Sequence, residues 1–405
     1  MTPPPEKTSP TTDKWAVLAY LVADSPGINL DLIMDAEIAA LAAGANSTSI
    51  PVSVQVDYRS KNRGVIRAVL ERVLGDKISI VDRFTRIKTS SSKAFGDLEG
   101  RYPNLHIRSL SRGPETNAAR AKVMNDFIAW GRSQSPGVTR YLLLLCGHSL
   151  GPVGLFFDQN PGPLQALSLP DLGNALKTSN LPPIDIVVFK DCFMSVLEVI
   201  YQLKEGARFV VASQAEVPLA IWDYKTLFQS LIAAADEKAA ACALCTRLGE
   251  FYDDARHRTF FEDVPYTALD VEAVDEVSRC FKRVVDALAT EKTRRSDTYL
   301  TVRRALEDAR GGDRSLVDVE RLCDNLDGLE NIRPHARNLK SAINQRMVRL
   351  HHARTTRFHG VSVFCSPASY IGPWMNEKAY AKLPFNASTG WGGIAYDGPV
   401  SLSHY

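Results

Sequence analysis

The chain reads as an α/β protein, a mostly parallel sheet covered by helices on both faces. Two observations predict this. Short apolar runs rich in branched residues recur between turn signals, as strands buried on both faces do. Strand and helix patterns also alternate from Trp15 to Gln214, before a block of helices and one last strand pattern. Trp15 to Ala23 is the first strand and ends at Asp24. Ser53 to Tyr58 is the second, and Lys77 to Ile87 can supply a short hairpin. Asn117 to Arg132 has helical spacing, with Ala118, Ala121, Met124, Phe127 and Ile128 as packing positions, and Pro136-Gly137 stops it. Tyr141 to Leu145 is a strand that runs into Cys146-Gly147-His148-Ser149. Gly151 to Leu167 is expected to be a loop, because Gly, Pro, Asn and Gln punctuate it. A short helix over Asp171 to Leu176 precedes the strand Ile184 to Phe189, which runs into Lys190-Asp191-Cys192. A helix from Met194 to Leu203 and a strand from Arg208 to Ser213 follow.

The pattern changes after Trp222. Helices are expected at Leu227 to His257, Val271 to Thr290, Tyr299 to Asp308, Val317 to Leu326 and Ala336 to His352, with a break at Gly311-Gly312-Asp313. Gly360 to Cys365 returns to a strand pattern and is expected to rejoin the sheet. The chain thus divides into a disordered tail (1–13), a core (14–226), a helical region (227–356) and a C-terminal strand and tail (357–405).

The 405 residues can bury a large core, and a charged fraction of 23% with a hydrophobic fraction of 45% is ordinary for a globular chain. A net charge of +2 gives no reason to expect nucleic acid or a membrane as partner. Seven scattered cysteines fit a reducing compartment better than a disulfide framework. Cys242 and Cys245 form a C-x-x-C inside an Ala-rich helical run with no second pair, whereas structural zinc takes four ligands. The stretch Met1 to Pro10 has no apolar segment of a signal peptide, and no run approaches a membrane span. A cytoplasmic location is expected. No G-x-G-x-x-G follows the first strand, which argues against a dinucleotide-dependent oxidoreductase.

Functional groups collect at the carboxyl ends of strands in an open α/β sheet. Two neighbouring strands that end at His148 and Cys192 would bring an imidazole and a thiol to one edge, a candidate nucleophilic pair. A lone cysteine is usually a small buried hydrophobe, and Cys146 and Cys365 are read so. His106, His257, His335, His351, His352 and His404 read as core or surface residues, while His359, just before a strand, keeps a functional reading open. The basic residues from Arg294 to Arg357 alternate with acids, as a solvated helical face does. Asp24 suits a cap, a pocket residue or a calcium ligand.

Several ordered pieces resemble the clostripain-like (C11) cysteine peptidases of the caspase-like clan. They are Trp15–Asp24, Phe127-Ile128-Ala129-Trp130, Tyr141 to His148, and Asp191-Cys192-Phe193-Met194 with Glu198 and Tyr201. Ala212-Ser213-Gln214, Trp222-Asp223-Tyr224, Gly360-Val361-Ser362-Val363-Phe364 with Pro367, and the distal Tyr380, Phe385 and Trp391 continue the match to about Trp391. The resemblance implies a caspase-like α/β/α sandwich, with 14–226 as the peptidase core and a helical C-terminal region returning to the sheet. It implies an endopeptidase that cleaves protein substrates through a thioester acyl-enzyme. Residue by residue, Cys192 would attack the scissile carbonyl and His148 would protonate the departing amine. Backbone N–H groups near Gly147 or Ser149, and of Cys192, would hold the oxyanion. The family's usual glycine after the histidine is Ser149 here, which keeps the backbone donor but not a glycine-only angle. No orienting carboxylate is assigned.

In much of this clan the residue two before the nucleophile points into the S1 pocket, since residues i and i−2 of a strand share a face. Resembling members that cut after Arg or Lys carry an acid there. This chain has Lys190, with Asp191 on the opposite face. Lys190 would favour cleavage after Asp or Glu. Glu216 on the next loop would reverse this by pairing with Lys190 or by serving as the pocket acid, and Ser213 is a further pocket candidate. In related enzymes a cut between the His and Cys strands accompanies maturation. Gly151 to Leu167 contains no Lys or Arg and Asp158 is its sole charge, so self-cleavage there requires acidic specificity; an activating protease, another regulator or no cut are the alternatives. No cofactor or metal site is read from the residues. The resemblance leaves calcium open, although no EF-hand-type loop is visible. A narrow regulatory protease in bacterial stress or defence, acting on a toxin, pore-former or regulator, fits the cytoplasmic reading. A pseudoenzyme binding module on the same fold and a small-molecule amidase are the competing readings.

Overall fold

A computed structural model describes residues 14–25, 28–59, 65–70, 107–113, 116–158, 163–177, 181–254, 263–294, 297–311, 315–365 and 377–396. The tail over 1–13, the Lys77–Ile87 hairpin and His106, His257 and His404 lie outside the described residues. Among the described residues nine strands form one sheet: β1 (Trp15–Val22), β2 (Val52–Asp57), β3 (Val65–Leu70), β4 (Ile107–Gly113), β5 (Arg140–Cys146), β6 (Ile184–Lys190), β7 (Ala207–Ser213), β8 (Tyr266–Asp270) and β9 (Val348–His352). Their order is β9-β8-β7-β6-β5-β1-β2-β3-β4. The centre from β7 to β2 is parallel, and both flanks are antiparallel.

Strand alternation sorts the apolar side chains into two cores. Leu143, Leu145, Val187 and Phe189 pack on one face, where Phe127 of α2 (Ala121–Ser133), Leu172 of α3 (Leu169–Leu176) and Leu197 of α4 (Leu197–Gln202) meet them. Leu142, Leu144, Ile186 and Val188 pack on the other. There Ile38 of α1 (Asp31–Thr48), Leu227 of α5 (Tyr224–Ala233) and Leu244 of α6 (Glu237–Asp253) cover them. This is the α/β sandwich that the apolar runs predict.

Several elements depart from the expectations. Gly151 to Leu167 is not a plain loop: after a helical turn at Gly151–Val153, Leu155–Asp158 pairs with Gln165–Leu167. Asp158 there is fully buried, and its Oδ2 accepts from the Ala118 N–H at 2.6 Å. Its carboxylate reaches no active site unless the hairpin opens, so self-cleavage at Asp158 loses its warrant. The helix from Leu227 to His257 is two helices, because Asp223 and Asp236 cap separate starts by accepting from Thr226 and Ala239. The expected helix over Ala336 to His352 ends at Ala342, passes through a wide turn at Ile343–Met347 and becomes β9. The chain therefore does return to the sheet after its helices, but through Val348–His352. The later segment Ser362–Phe364 pairs with Leu316–Asp318 in a ribbon of its own. The sequence reading passed over α1, β3, β4 and β8.

The C-terminal segment is held down beside α4 by a buried acid. Glu198 Oε1 accepts from the Phe364 N–H at 2.9 Å and from the Tyr380 hydroxyl at 2.6 Å, while Oε2 is buried with no hydrogen-bond partner among the described residues. Burial pushes the Glu198 carboxyl from 4.5 up to about 7, against the pull of those donors. The folded protein thus holds this proton more tightly than the unfolded chain. That stabilisation is full below the unfolded value and is lost as pH rises through the folded one. Between pH 4.5 and 7 the loss is roughly 3 kcal/mol at about 1.4 kcal/mol per unit. Urea titrations should show stability falling over this window in the parent and a flattened slope in Glu198→Gln. An equal slope in both assigns the pH dependence to other groups.

Candidate active site

The site is set by register. In the β5–β6 ladder Lys190 pairs with Cys146, so His148 and Cys192 each lie two residues past the last pair. Every residue of the two strands except Arg140 is buried, so the site residues project from a rigid edge. A side-chain hydrogen bond joins the two segments: the Ser149 hydroxyl donates to the Cys192 carbonyl at 2.6 Å. Gly147 is needed for close approach, because a Cβ there would meet the Phe156 ring at 2.8 Å.

The thiol rests against its own chain. Cys192 Sγ accepts from the Val217 N–H at 3.3 Å, and its S–H faces the Val217 carbonyl at 3.9 Å. The chain turns sharply just after it, where Phe193 adopts a left-handed φ of 60° and donates its N–H to the Ala215 carbonyl at 3.0 Å. Burial pushes the thiol from 9.0 up to about 11; the Val217 N–H opposes this, while Asp191 and Glu216 add to it. His148 is half-buried, and its Nε2 has no hydrogen-bond partner among the described residues. Burial lowers its pKa below 6.5. At neutral pH the resting pair is therefore a protonated thiol and an uncharged imidazole.

The backbone donors differ in availability. Ser149 bridges Leu155, but the bonds of that bridge run from the Phe156 N–H to the His148 carbonyl (2.8 Å) and from the Leu150 N–H to the Gly154 carbonyl (3.1 Å). This is the pairing in which the bridged residue itself exchanges no bond. The Ser149 N–H is left without a partner among the described residues, whereas the Gly147 N–H lies close enough to the Asp191 carboxyl to lower its pKa, although neither carboxyl oxygen makes a hydrogen bond among the described residues.

The four S1 candidates fare differently. Lys190 is 2% exposed and its Nζ sits 2.7 Å from both oxygens of Glu37, itself 1% exposed. The ammonium also lies 4.8 Å from the centre of the Trp222 ring, and the Tyr224 hydroxyl donates to Glu37. Lys190 therefore presents no free charge to a substrate, and the inference of acidic specificity from it is corrected. Strand alternation carries Lys190 to the α1 face with Ile186 and Val188, but the chain leaves strand geometry at Asp191, and Cys192 packs against the opposite core. Asp191 is buried, and burial raises its pKa well above the carboxylate range. Ser213 is buried and its hydroxyl accepts from the Ala215 N–H at 3.0 Å, a turn contact. Glu216 alone of the four is exposed to solvent.

Sequence reasoning missed Glu37, Val217 and Trp222 as site residues. Glu37 left a signal: it is an acid inside the Ala-rich stretch Asp31–Thr48, and a buried anion needs a buried cation. Val217 left none, because its main chain does the work. Asp24 lies buried in a two-residue ribbon, and among the described residues no group of three or more His, Cys, Asp or Glu could hold a metal ion. No helix among the described residues is long and apolar enough to cross a membrane.

A family model for clostripain peptidases matches residues 111–350, more than half of the chain and inclusive of His148 and Cys192. The chain belongs to the clostripain family. It is a cysteine peptidase of the C11 group, and proteins are its substrates. Solved structures show the same fold across nearly the whole length. One is a secreted C11 cysteine protease from Bacteroides thetaiotaomicron bound to an irreversible peptide inhibitor, with a TM-score of 0.65 and 15% identity over 93% of this chain and 99% of that one. Another is an inactive zymogen C11 protease from Parabacteroides distasonis, with a TM-score of 0.63 and 14% identity over 94% and 99%. A search of curated protein sequences finds no match.

The buried ion pair in this peptidase makes a direct prediction. Lys190→Met strands the Glu37 charge and should cost roughly 3–5 kcal/mol, whereas Lys190→Met with Glu37→Met should cost far less. Urea unfolding of both variants measures this, and equal losses would show that the pair is not the unit of stability.

Proposed function

We propose that this peptidase cleaves proteins through a Cys192–His148 dyad and a thioester intermediate. The observation that carries this is the shared register, which supports a thiol and an imidazole acting on one bound carbonyl. Once a substrate displaces Val217, the Cys192 proton passes to His148 and the sulfur attacks the carbonyl carbon. The oxyanion is held by the N–H groups of Ser149 and Cys192. The imidazolium then protonates the departing amine, and water hydrolyses the thioester. The Ser149 N–H is the better donor than that of Gly147, because it has no competing acceptor.

Glu216 is the specificity residue in this reading. With Lys190 neutralised by Glu37, it is the charged group facing solvent closest in the chain to the Val217 contact, and it favours a basic side chain at the cleavage site. Seven unpaired cysteines accord with a reducing, cytoplasmic setting. There a narrow regulatory role in stress or defence is open to the enzyme.

A fluorogenic P1 panel tests the reading. Cys192→Ala and His148→Ala should each abolish turnover of every peptide. Glu216→Gln should lower kcat/KM for Arg and Lys peptides by roughly five-fold, the scale of an exposed ion pair near 1 kcal/mol, and leave neutral peptides unchanged. Residual cleavage by Cys192→Ala would refute the dyad; a uniform loss in Glu216→Gln would remove its selective role.

A further inference from the structure

The loop that holds the thiol is itself held from far away in the sequence. Val217 lies three residues after Gln214, and Gln214 is 1% exposed with its whole side-chain amide engaged. Its Nε2 donates to Asp318 Oδ2 at 3.0 Å and to the Ser362 hydroxyl at 2.8 Å, and its Oε1 accepts from the Gly360 N–H at 2.6 Å. Asp318 is fully buried. It also accepts from the N–H groups of Arg321 (2.9 Å) and His359 (2.8 Å), with the His359 ring 3.2 Å from its Oδ1. The segment after the thiol is tied to the same place. The Ser195 hydroxyl donates to the Gly360 carbonyl at 2.5 Å, the Ser195 carbonyl accepts from the Ser362 N–H at 2.9 Å, and the Ser195 N–H bonds the Ser213 carbonyl at 2.9 Å. Both walls of the thiol, 193–195 and 214–217, thus close on Asp318 and on residues 359–362.

We propose that Gln214 and Asp318 are positioning residues of the site: through them the helical region and the strand that follows it set where Cys192 Sγ sits. Gln214 is suited to this because one planar amide spans three partners on two separate segments. Moving either segment must break a buried hydrogen bond or drag the loop, and an unmade buried bond is costly. The helical region then has a task beyond packing: a ligand or cut that shifts Asp318 is read at the thiol. The turnover part of this inference rests on the proposed dyad; the thiol part does not.

Gln214→Glu keeps the shape and sets a second carboxylate against Asp318. Iodoacetamide labelling of the intact protein, read cysteine by cysteine by mass spectrometry, should then show Cys192 reacting roughly three-fold faster or more, because the main chain of Val217 that covers its sulfur moves away. Buried Cys146, Cys245 and Cys323 should keep the parent rate. On peptides, kcat per titrated site should fall more than KM changes. Adding Asp318→Asn, which sets an amide opposite the new carboxylate, should return both readouts toward the parent. A merely structural role predicts faster labelling of every buried cysteine together and an unchanged kcat per titrated site; that pattern overturns the proposal, as does a Cys192 rate unchanged in Gln214→Glu. A selective rise at Cys192 in a protein whose parent cuts no peptide would uphold the positioning link and bring down the dyad reading alone.

Discussion

Two adjacent buried strands end in register, and everything at the candidate site follows from that. The β5–β6 ladder closes on Cys146 and Lys190, so the next two residues of each strand must solve the same problem side by side. They leave the sheet and place one side chain each, His148 and Cys192, at its edge. Gly147 meets this by packing against Phe156, Ser149 by reaching across to the Cys192 carbonyl, and Phe193 by turning through the left-handed region. Strain at a non-glycine residue directly beside the thiol is the kind that surrounding structure must over-determine. Here the hydrogen bonds from the Ser195 N–H to the Ser213 carbonyl at the end of β7, and from the Phe193 N–H to the Ala215 carbonyl just past it, supply that constraint.

The sheet centre was legible because its strands are apolar on both faces. The residues Trp15–Val22, Tyr141–Leu145 and Ile184–Phe189 can be little else. The flanking strands were not legible. Tyr266–Asp270 is only five residues long, and Val348–His352 is half-exposed with charged and histidine residues, so its period of two hides behind the helix before it. Arg349 bonded to Asp270 and His351 bonded to Thr267 hold that strand in place, and such cross-strand partners are invisible until the strands are paired. At the site, Cys192 and His148 could be picked out because each follows closely on the end of an apolar strand. Their surroundings could not, since Glu37, Val217 and Asp318 come from distant segments.

Lys190 shows how burial overrides a position-based reading. A lysine at that place suggests a charge offered to a substrate. Its environment instead encloses the ammonium between a carboxylate and an aromatic face, out of reach of water. Such a pair adds little net stability over apolar residues of the same size, yet it cannot tolerate the loss of one partner. It commits α1, β6 and the Trp222–Tyr224 turn to one arrangement directly beneath the site.

The contact between Cys192 and Val217 also bears on the lifetime of the enzyme. Peroxide attacks a thiolate, not a thiol, and oxidation past the first step is irreversible for most cysteines. A sulfur kept protonated and covered by main chain reacts slowly with oxidants for as long as no substrate opens the loop. With Cys192 as the proposed nucleophile, the idle peptidase thereby preserves it, and vulnerability to oxidative damage is confined to the moments when the enzyme is at work.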